Sequence, residues 1–237
     1  MKAFLFDVDG TLTVSRQAID KRFSVQFKKF AQNNDVFLVT GSDKPKTIEQ
    51  IGKVIYDTCK RAYQCSGNDV WEQDKNINTN SWTLPLEPHQ WLMDRVTSSP
   101  FSIRTGTHIE ERPGMVNFSV LGRGANTEQR QAYIDYDSLN SERNAIARAF
   151  NENFGKKYLI EAHIGGETGL DISVIGADKA QVLDSLDGYD EFIFFGDKTM
   201  PGGNDFSLAD RIIKQQHGRV HQVYEWQETQ QLITDLY

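Results

Sequence analysis

The sequence predicts an α/β fold interrupted by a smaller inserted α+β domain. Three observations predict it. Two apolar runs end in carboxylates: AFLFDV at 3–8, bearing Asp7 and followed by Asp9, and EFIFFG at 191–196, followed by Asp197. A β-α-β pattern follows the first run, and between about 84 and 176 the strands change to apolar/polar alternation at period two. At 237 residues the chain is long enough for such a core and an insertion.

Taken in order, the run at 3–8 reads as a buried central strand that presents Asp7 and Asp9 at its carboxyl end, where open α/β sheets place their chemistry. Phe23, Phe27 and Phe30 recur at helical spacing, and VFLVT at 36–40 is the second strand. Pro45 suits a first helical turn, and Ile48, Ile51 and Ile55 continue one apolar stripe, so a single second helix is expected. A short helix is expected around Trp91, Leu92 and Val96. Val116, Phe118 and Val120 then alternate with Asn117 and Ser119, and Leu170, Ile172 and Val174 behave alike, which implies a sheet with one wet face. Between them, SERNAIARAFNENFG reads as a helix capped by Ser141, apolar through Ile146, Ala149, Phe150 and Phe154, and stopped by Gly155. The α/β style returns with a helix DKAQVLDSL, the strand EFIFFG, a last strand near Arg219 to Val223, and a closing helix bearing Leu232, Ile233 and Leu236. The expected division is a core of residues 1–83 and 177–237 around an insertion at 84–176, an antiparallel sheet covered by helices.

A hydrophobic fraction of 38% is ordinary for a globular chain, and a formal charge of -7 leaves no broad basic field for nucleic acid or an anionic membrane. No apolar run approaches a membrane span, and an Asp interrupts the start before a signal-peptide core forms, so a cytoplasmic protein is expected. Cys59 and Cys65 are too few for a disulfide framework and read as structural thiols. His108, His163, His217 and His221 lack metal spacing and receive no role.

The chemistry concentrates in DVDGT. Alternate residues of a strand end point the same way and Gly10 permits a sharp turn, so Asp7 and Asp9 are expected to converge. Two carboxylates side by side call for a cation, and hard oxygen ligands favour Mg²⁺, with Asp197 of GDKTMPGGND as a third ligand. Alone, the motif also fits a strand followed by an ordinary Asx turn. Thr40 and Ser42 at the end of VFLVTGS, Lys179 at a helix start, and Asp197 with Asp205 about a Gly-rich turn add order and context.

These residues resemble the haloacid dehalogenase (HAD) superfamily of phosphotransferases, and more closely the eukaryotic-type phosphomannomutases with their type IIB cap. The resemblance runs over nearly the whole chain: DVDGTLT with Arg16, RPGMVNFSVLGR at 112–123, Arg130, Asp171, the pair Asp178 and Lys179, and FFGDKTMPGGND at 194–205. It implies a Rossmann-like core with an α+β cap and a mechanism in which Asp7 takes a phosphoryl group while Asp9 moves the proton on the sugar oxygen. Lys179 would offset charge, Thr40 or Ser42 would bond the transferring phosphate, Asp7, Asp9 through its carbonyl, and Asp197 would hold Mg²⁺, and Asp205 would support them. Arg16, Arg112, Asn117, Arg123, Arg130 and Asp171 would bind a small phosphorylated sugar, arginine forks suiting a second phosphate. A hexose 1,6-bisphosphate activator, a closing cap and a homodimer through the cap belong to the same implication.

Three positions depart from the family's pattern. Gly169 stands where the family usually has serine, Ala177 where it commonly has tryptophan, and Thr40 where the mutases commonly have glycine. They leave the sugar open and keep a sugar-phosphate phosphatase as the alternative. A catalytically silent binding protein is the second alternative, opposed by the intact set Asp7, Asp9, Lys179 and Asp197.

Overall fold

A computed structural model describes residues 1–236; Tyr237, the last residue of the expected core segment, lies outside the described residues. The chain divides into two units, residues 1–80 with 177–237, and residues 81–176. Trp82 and Leu84 pack in the second unit's apolar core, which sets the junction three residues earlier than the sequence suggested.

In chain order the elements are β1 Lys2–Phe6, α1 Lys21–Asn33, β2 Asp35–Val39, α2 Lys44–Ile51, α3 Lys53–Thr58, β3 Arg61–Gln64, β4 Asp69–Glu72 and β5 Lys75–Thr79. The second unit holds α4 Leu86–Ser98, β6 Ile109–Arg112, β7 Met115–Phe118, α5 Thr127–Asn140, α6 Glu142–Phe150, α7 Lys156–Tyr158, β8 Ile160–Gly165 and β9 Gly169–Val174. The first unit resumes with a 3₁₀ segment Lys179–Ser185, β10 Glu191–Gly196, α8 Phe206–Lys214, β11 Gly218–Gln222 and α9 Trp226–Asp235. None of the described helices is long and apolar enough to cross a membrane.

The first unit is a seven-stranded sheet in the order β11-β10-β1-β2-β3-β4-β5, parallel up to β3 and closed by an antiparallel hairpin. After one charged residue at the start, its central strands β1, β2 and β10 are apolar and buried because both faces are covered. Phe4, Phe6, Val36, Leu38, Ile193 and Phe195 face a core that also contains Phe23 and Phe27 of α1. Ala3, Leu5, Phe37, Val39, Phe192 and Phe194 face another that contains Val182 of the 3₁₀ segment and Leu208 of α8. The Phe6 ring lies edge-on to Phe27 at 5.0 Å and stacks on Phe195 at 4.6 Å, tying α1 to the two strands that carry the acidic residues. Asp20 starts α1 by accepting the N–H groups of Arg22 and Phe23.

The structure corrects several readings in this unit. The expected single helix after β2 is two, because Gly52 takes φ +81° and ends α2 between Ile51 and Ile55. The segment after Asp178 is wound as a 3₁₀ run, which stacks Lys179 and Val182 one above the other, both buried. The sequence reading placed no strands at 61–79. β3 has four residues, and β5 (KNINT) is exposed throughout, an edge strand without an apolar signal.

The second unit is a four-stranded antiparallel sheet, β6-β7-β9-β8, with helices contributing Leu92, Tyr133, Ile146 and Phe150 to its core. α5 was not expected: Tyr133 and Asp137 are its buried residues, too sparse for a periodic stripe. Its start is a capping box between Asn126 and Gln129. Ser141 does not cap α6 with its side chain; it is left-handed (φ 53°), and Asp137 Oδ1 accepts the Arg143 N–H. Gly155 does not stop the helix. A wide π turn carries the chain through 151–155 into α7, and left-handed Leu159 ends it. The face expected to be wet is covered at Asn117 and Ser119, both buried and hydrogen-bonded to neighbouring polar groups.

Candidate active site

The carboxyl ends of β1, β2 and β10 meet where the sheet order reverses, the crevice in which α/β sheets bind ligands. Asp7 follows β1, with its N–H donating to the Phe195 carbonyl at 2.9 Å. Its carboxylate is buried: Oδ1 accepts from Lys179 Nζ at 2.6 Å and Oδ2 from the Thr11 hydroxyl at 3.3 Å. The same ammonium donates to Asp205 Oδ1 at 2.6 Å, and Asp205 Oδ2 accepts the Lys198 N–H at 3.0 Å. Asp7, Asp197 and Asp205 each bring one carboxylate oxygen within 4.8 Å of the others.

Two glycines make this approach sterically open. A Cβ on Gly10, which turns at φ +85°, would stand 2.5 Å from Asp197 Oδ2, and one on Gly196 would stand 2.8 Å from Asp205 Oδ2. Burial raises the Asp7 carboxyl well above its usual range, against the pull of Lys179 and with the push of Asp205 and Asp197. Asp197 is pushed up to about 6 by burial; Lys198 opposes the shift and Asp205 adds to it. Burial would loosen the Lys179 proton, but Asp205 and Asp7 hold it, so its pKa rises. Three carboxylates face two ammonium groups, buried Lys179 and, 3.9 Å from Asp197, Lys198, so a negative charge is left over when all are ionised, and a hard, oxygen-only donor set carrying that surplus fits a divalent cation.

The Asp9 side chain does not join this group, contrary to the expected convergence with Asp7. Its Oδ1 accepts the Arg16 N–H at 2.7 Å and Gln50 Nε2 at 2.9 Å, and its Oδ2 accepts the Ser42 hydroxyl at 3.3 Å. Arg16 is left-handed (φ 62°), which brings its N–H back toward the first strand. Thr40 is buried at the end of β2, and its hydroxyl oxygen accepts the Ser42 N–H at 3.1 Å. Thus Asp9, Ser42, Thr40 and the Arg16 backbone form one hydrogen-bonded set, while Asp7, Lys179, Asp197 and Asp205 form the acidic one.

The second unit gathers the remaining candidates on its sheet. Glu110 pairs in register with Asn117, Asn117 with Asp171 and Asp171 with His163, a row of polar residues across β6, β7, β9 and β8. Asn117 Nδ2 donates to Asp171 Oδ1 at 2.7 Å, and Arg123 Nη1 donates to Asn117 Oδ1 at 3.2 Å. Arg123 Nε and Arg112 Nη2 lie 2.6 and 3.1 Å from Glu110 Oε2. Burial lowers the Arg123 pKa; Glu110 and Asp171 oppose the shift, Arg112 and Arg130 add to it, so these groups share one field. Arg130, in the first turn of α5, donates to Glu167 Oε2 at 2.6 Å. Gly165 clears room for Asp171, whose Cγ would lie 2.5 Å from a Cβ there.

Sequence reasoning missed Thr11, Gln50, Glu110 and Glu167. Thr11 lies inside DVDGT and was within reach of the motif. Gln50 reaches Asp9 across 41 residues, and Glu167 reaches Arg130 across 37, separations with no local signature.

The family model described as eukaryotic phosphomannomutase matches residues 23–237. A phosphomannomutase of Saccharomyces cerevisiae is 30% identical, the match covering 98% of this chain and 93% of the yeast protein. One of Triticum aestivum is 33% identical over 88% of this chain and 87% of its own. Among solved structures, a haloacid dehalogenase-like hydrolase of Bacteroides thetaiotaomicron is similar over 100% of this chain and 99% of its own, with TM-score 0.62 at 14% identity. An IMP-nucleotidase of Plasmodium falciparum, also 14% identical, gives TM-score 0.66 over 99% of this chain and 67% of its own; both likenesses concern the fold alone. With a family model spanning most of the sequence and curated relatives at this identity over nearly its full length, the chain belongs to the eukaryotic phosphomannomutase family, on a HAD-like fold.

Proposed function

We propose that this enzyme is a phosphomannomutase, interconverting mannose 6-phosphate and mannose 1-phosphate through a phosphoaspartyl intermediate on Asp7, primed by a hexose 1,6-bisphosphate. The observation that carries the reading is the buried Lys179 ammonium, held 2.6 Å from both Asp7 and Asp205 beside Asp197. Asp7 Oδ attacks phosphorus and the bond from phosphorus to the sugar oxygen breaks. Asp9 gives that oxygen its proton, and takes one from the other sugar hydroxyl when the phosphoryl group returns. Lys179 offsets charge on the acyl phosphate, Thr40 and Ser42 bond its oxygens, and Asp205 holds Lys179 in place. Asp7, Asp197 and the Asp9 carbonyl are the ligands assigned to Mg²⁺, which when bound would offset the negative charge of carboxylate and phosphate.

Arg112, Arg123 and Arg130 are assigned to the second phosphate, Asn117 and Asp171 to the sugar, and Arg16 to the substrate from the first unit. On this reading the first unit is the catalytic core and the second the cap that sets substrate specificity. A cytoplasmic enzyme, dimeric through the cap, is proposed by analogy with the family.

The second reading, a sugar-phosphate phosphatase that gives the phosphoryl group to water, draws on Thr40, buried at the end of β2 where the mutases commonly have glycine. Gly169 instead leaves the sugar open: this chain offers no hydroxyl there, and a Cβ would lie 3.0 Å from the Phe118 carbonyl and 3.1 Å from Asn117 Nδ2. Phosphorus NMR of the protein with Mg²⁺, mannose 1-phosphate and trace bisphosphate separates the readings: mannose 6-phosphate supports the mutase, free phosphate the phosphatase. No turnover at all would reject both.

A further inference from the structure

The second unit's Arg112, Arg123 and Arg130 are not an open cationic patch. Glu110 accepts from Arg112 and Arg123, Glu167 from Arg130, and Asp171 stands in the field of Arg123, so three carboxylates face three guanidinium groups. The carboxylates differ in how firmly they are held. Burial would raise the Glu110 pKa, yet its hydrogen bonds and charge contacts with Arg112 and Arg123 lower it, so the group stays ionised between them. Glu167 occupies the β8–β9 turn beside left-handed Gly166 (φ 58°); its side chain is 48% exposed, that of Arg130 only 17%. One contact joins them, Arg130 Nη2 to Glu167 Oε2 at 2.6 Å. Water screens such a pair and leaves it weak, whereas a phosphate dianion engages a guanidinium with paired charge-assisted bonds.

The turn itself is pinned independently of this ion pair. Arg143, fixed by Asp137 at 2.7 Å, donates to the Gly166 carbonyl at 3.2 Å, and the Ser119 hydroxyl donates to the Thr168 carbonyl at 2.9 Å. Arg130 Nη1 also rests 3.4 Å from the Thr168 hydroxyl. The backbone therefore keeps the Glu167 carboxylate beside Arg130, while rotation of one exposed side chain suffices to clear it.

We propose that Glu167 is a specificity-determining residue: its carboxylate is a stand-in anion on Arg130 that the distal phosphate of the ligand displaces, so that it sets affinity for that phosphate without touching the reacting atoms. The inference rests on the assignment of Arg130 to the second phosphate. A ligand carrying a neutral hydroxyl at that end gives no compensation for displacing Glu167, so the carboxylate sharpens the preference for a doubly charged group.

Calorimetric titration of inorganic phosphate, and separately of mannose 1-phosphate, into the wild-type chain, Glu167→Gln, Arg130→Ala and the double variant tests it. Glu167→Gln is expected to tighten binding about threefold at low salt, the size of one exposed ion pair. The gain should fade in high salt and be absent in the Arg130→Ala background. In turnover, KM for mannose 1-phosphate should fall by the same factor with kcat unchanged. Unchanged or weaker binding in Glu167→Gln, an equal gain without Arg130, or phosphate bound by Arg130→Ala as tightly as by the wild type would overturn the inference. Because the titration reads equilibrium binding, it decides this point whether the wild-type enzyme isomerises or hydrolyses; absence of isomerase activity counts against the proposed function alone.

Discussion

Lys179 is one ammonium shared between two fully buried carboxylates, Asp7 and Asp205. Removing a single partner from such a group strands charge in the interior, so Lys179→Met should cost about 3–5 kcal/mol in urea unfolding of the metal-free protein. Asp7→Asn keeps the shape of the side chain but removes the proposed nucleophile, and mannose 1-phosphate turnover should fall by about 10⁴-fold or more in a coupled assay. Gly10 presents a steric case. Alanine there meets both an unfavourable φ of +85° and the Asp197 carboxylate at 2.5 Å, so Gly10→Ala should abolish Mg²⁺ binding seen by calorimetry while leaving far-UV circular dichroism unchanged.

At the scale of elements, the central strands follow from burial on both faces, and α1 from its Phe23, Phe27 and Phe30 stripe. These were legible because an apolar period is written locally in the chain. α5 was not legible: it carries Arg130 on a helix whose buried residues are Tyr133 and Asp137, and its capping box is the local mark. Asn126→Ala should therefore lower the stability of the second unit by about 1 kcal/mol, read from its own melting transition or local hydrogen exchange. β5 lacked a signal for a different reason, since an exposed edge strand gains its order from backbone pairing with β4 rather than from apolar side chains. The wet face assigned to Asn117 and Ser119 failed because alternation records polarity, not exposure; polar residues bonded to one another can be buried.

For the whole molecule, metal, proton and stability are linked through the acidic group. Asp197 rises from 3.8 to about 6 in the folded, metal-free protein, so between these values the folded state binds more protons than the unfolded one. Its contribution is present below the lower value and is lost as pH climbs through the upper. A divalent cation at the proposed site would reverse that loss by binding the ionised carboxylates. The thermal stabilisation given by saturating Mg²⁺ should thus be large at pH 7–8 and shrink as pH falls through about 6, as protons replace the metal. Scanning calorimetry with and without Mg²⁺ across this range checks it, and a Mg²⁺ effect independent of pH would contradict the assignment of Asp197 as a ligand.

The amino-acid sequence by itself determined the α/β core with its insertion, the turn at Gly10, the strand-end positions of Asp7, Thr40 and Asp197, and the family resemblance, because each is encoded in spacing along a short stretch. Only the tertiary structure decided which charged groups meet. Asp205 joins Asp7 and Asp197 where the Asp9 side chain was expected, Gln50 reaches Asp9, Glu110 pairs with Arg112 and Arg123, and Glu167 pairs with Arg130. Such encounters depend on strand register, on the winding of the loops and on glycines that let one chain approach another. Those are distances between residues far apart in sequence, and they exist only once the backbone has closed on itself.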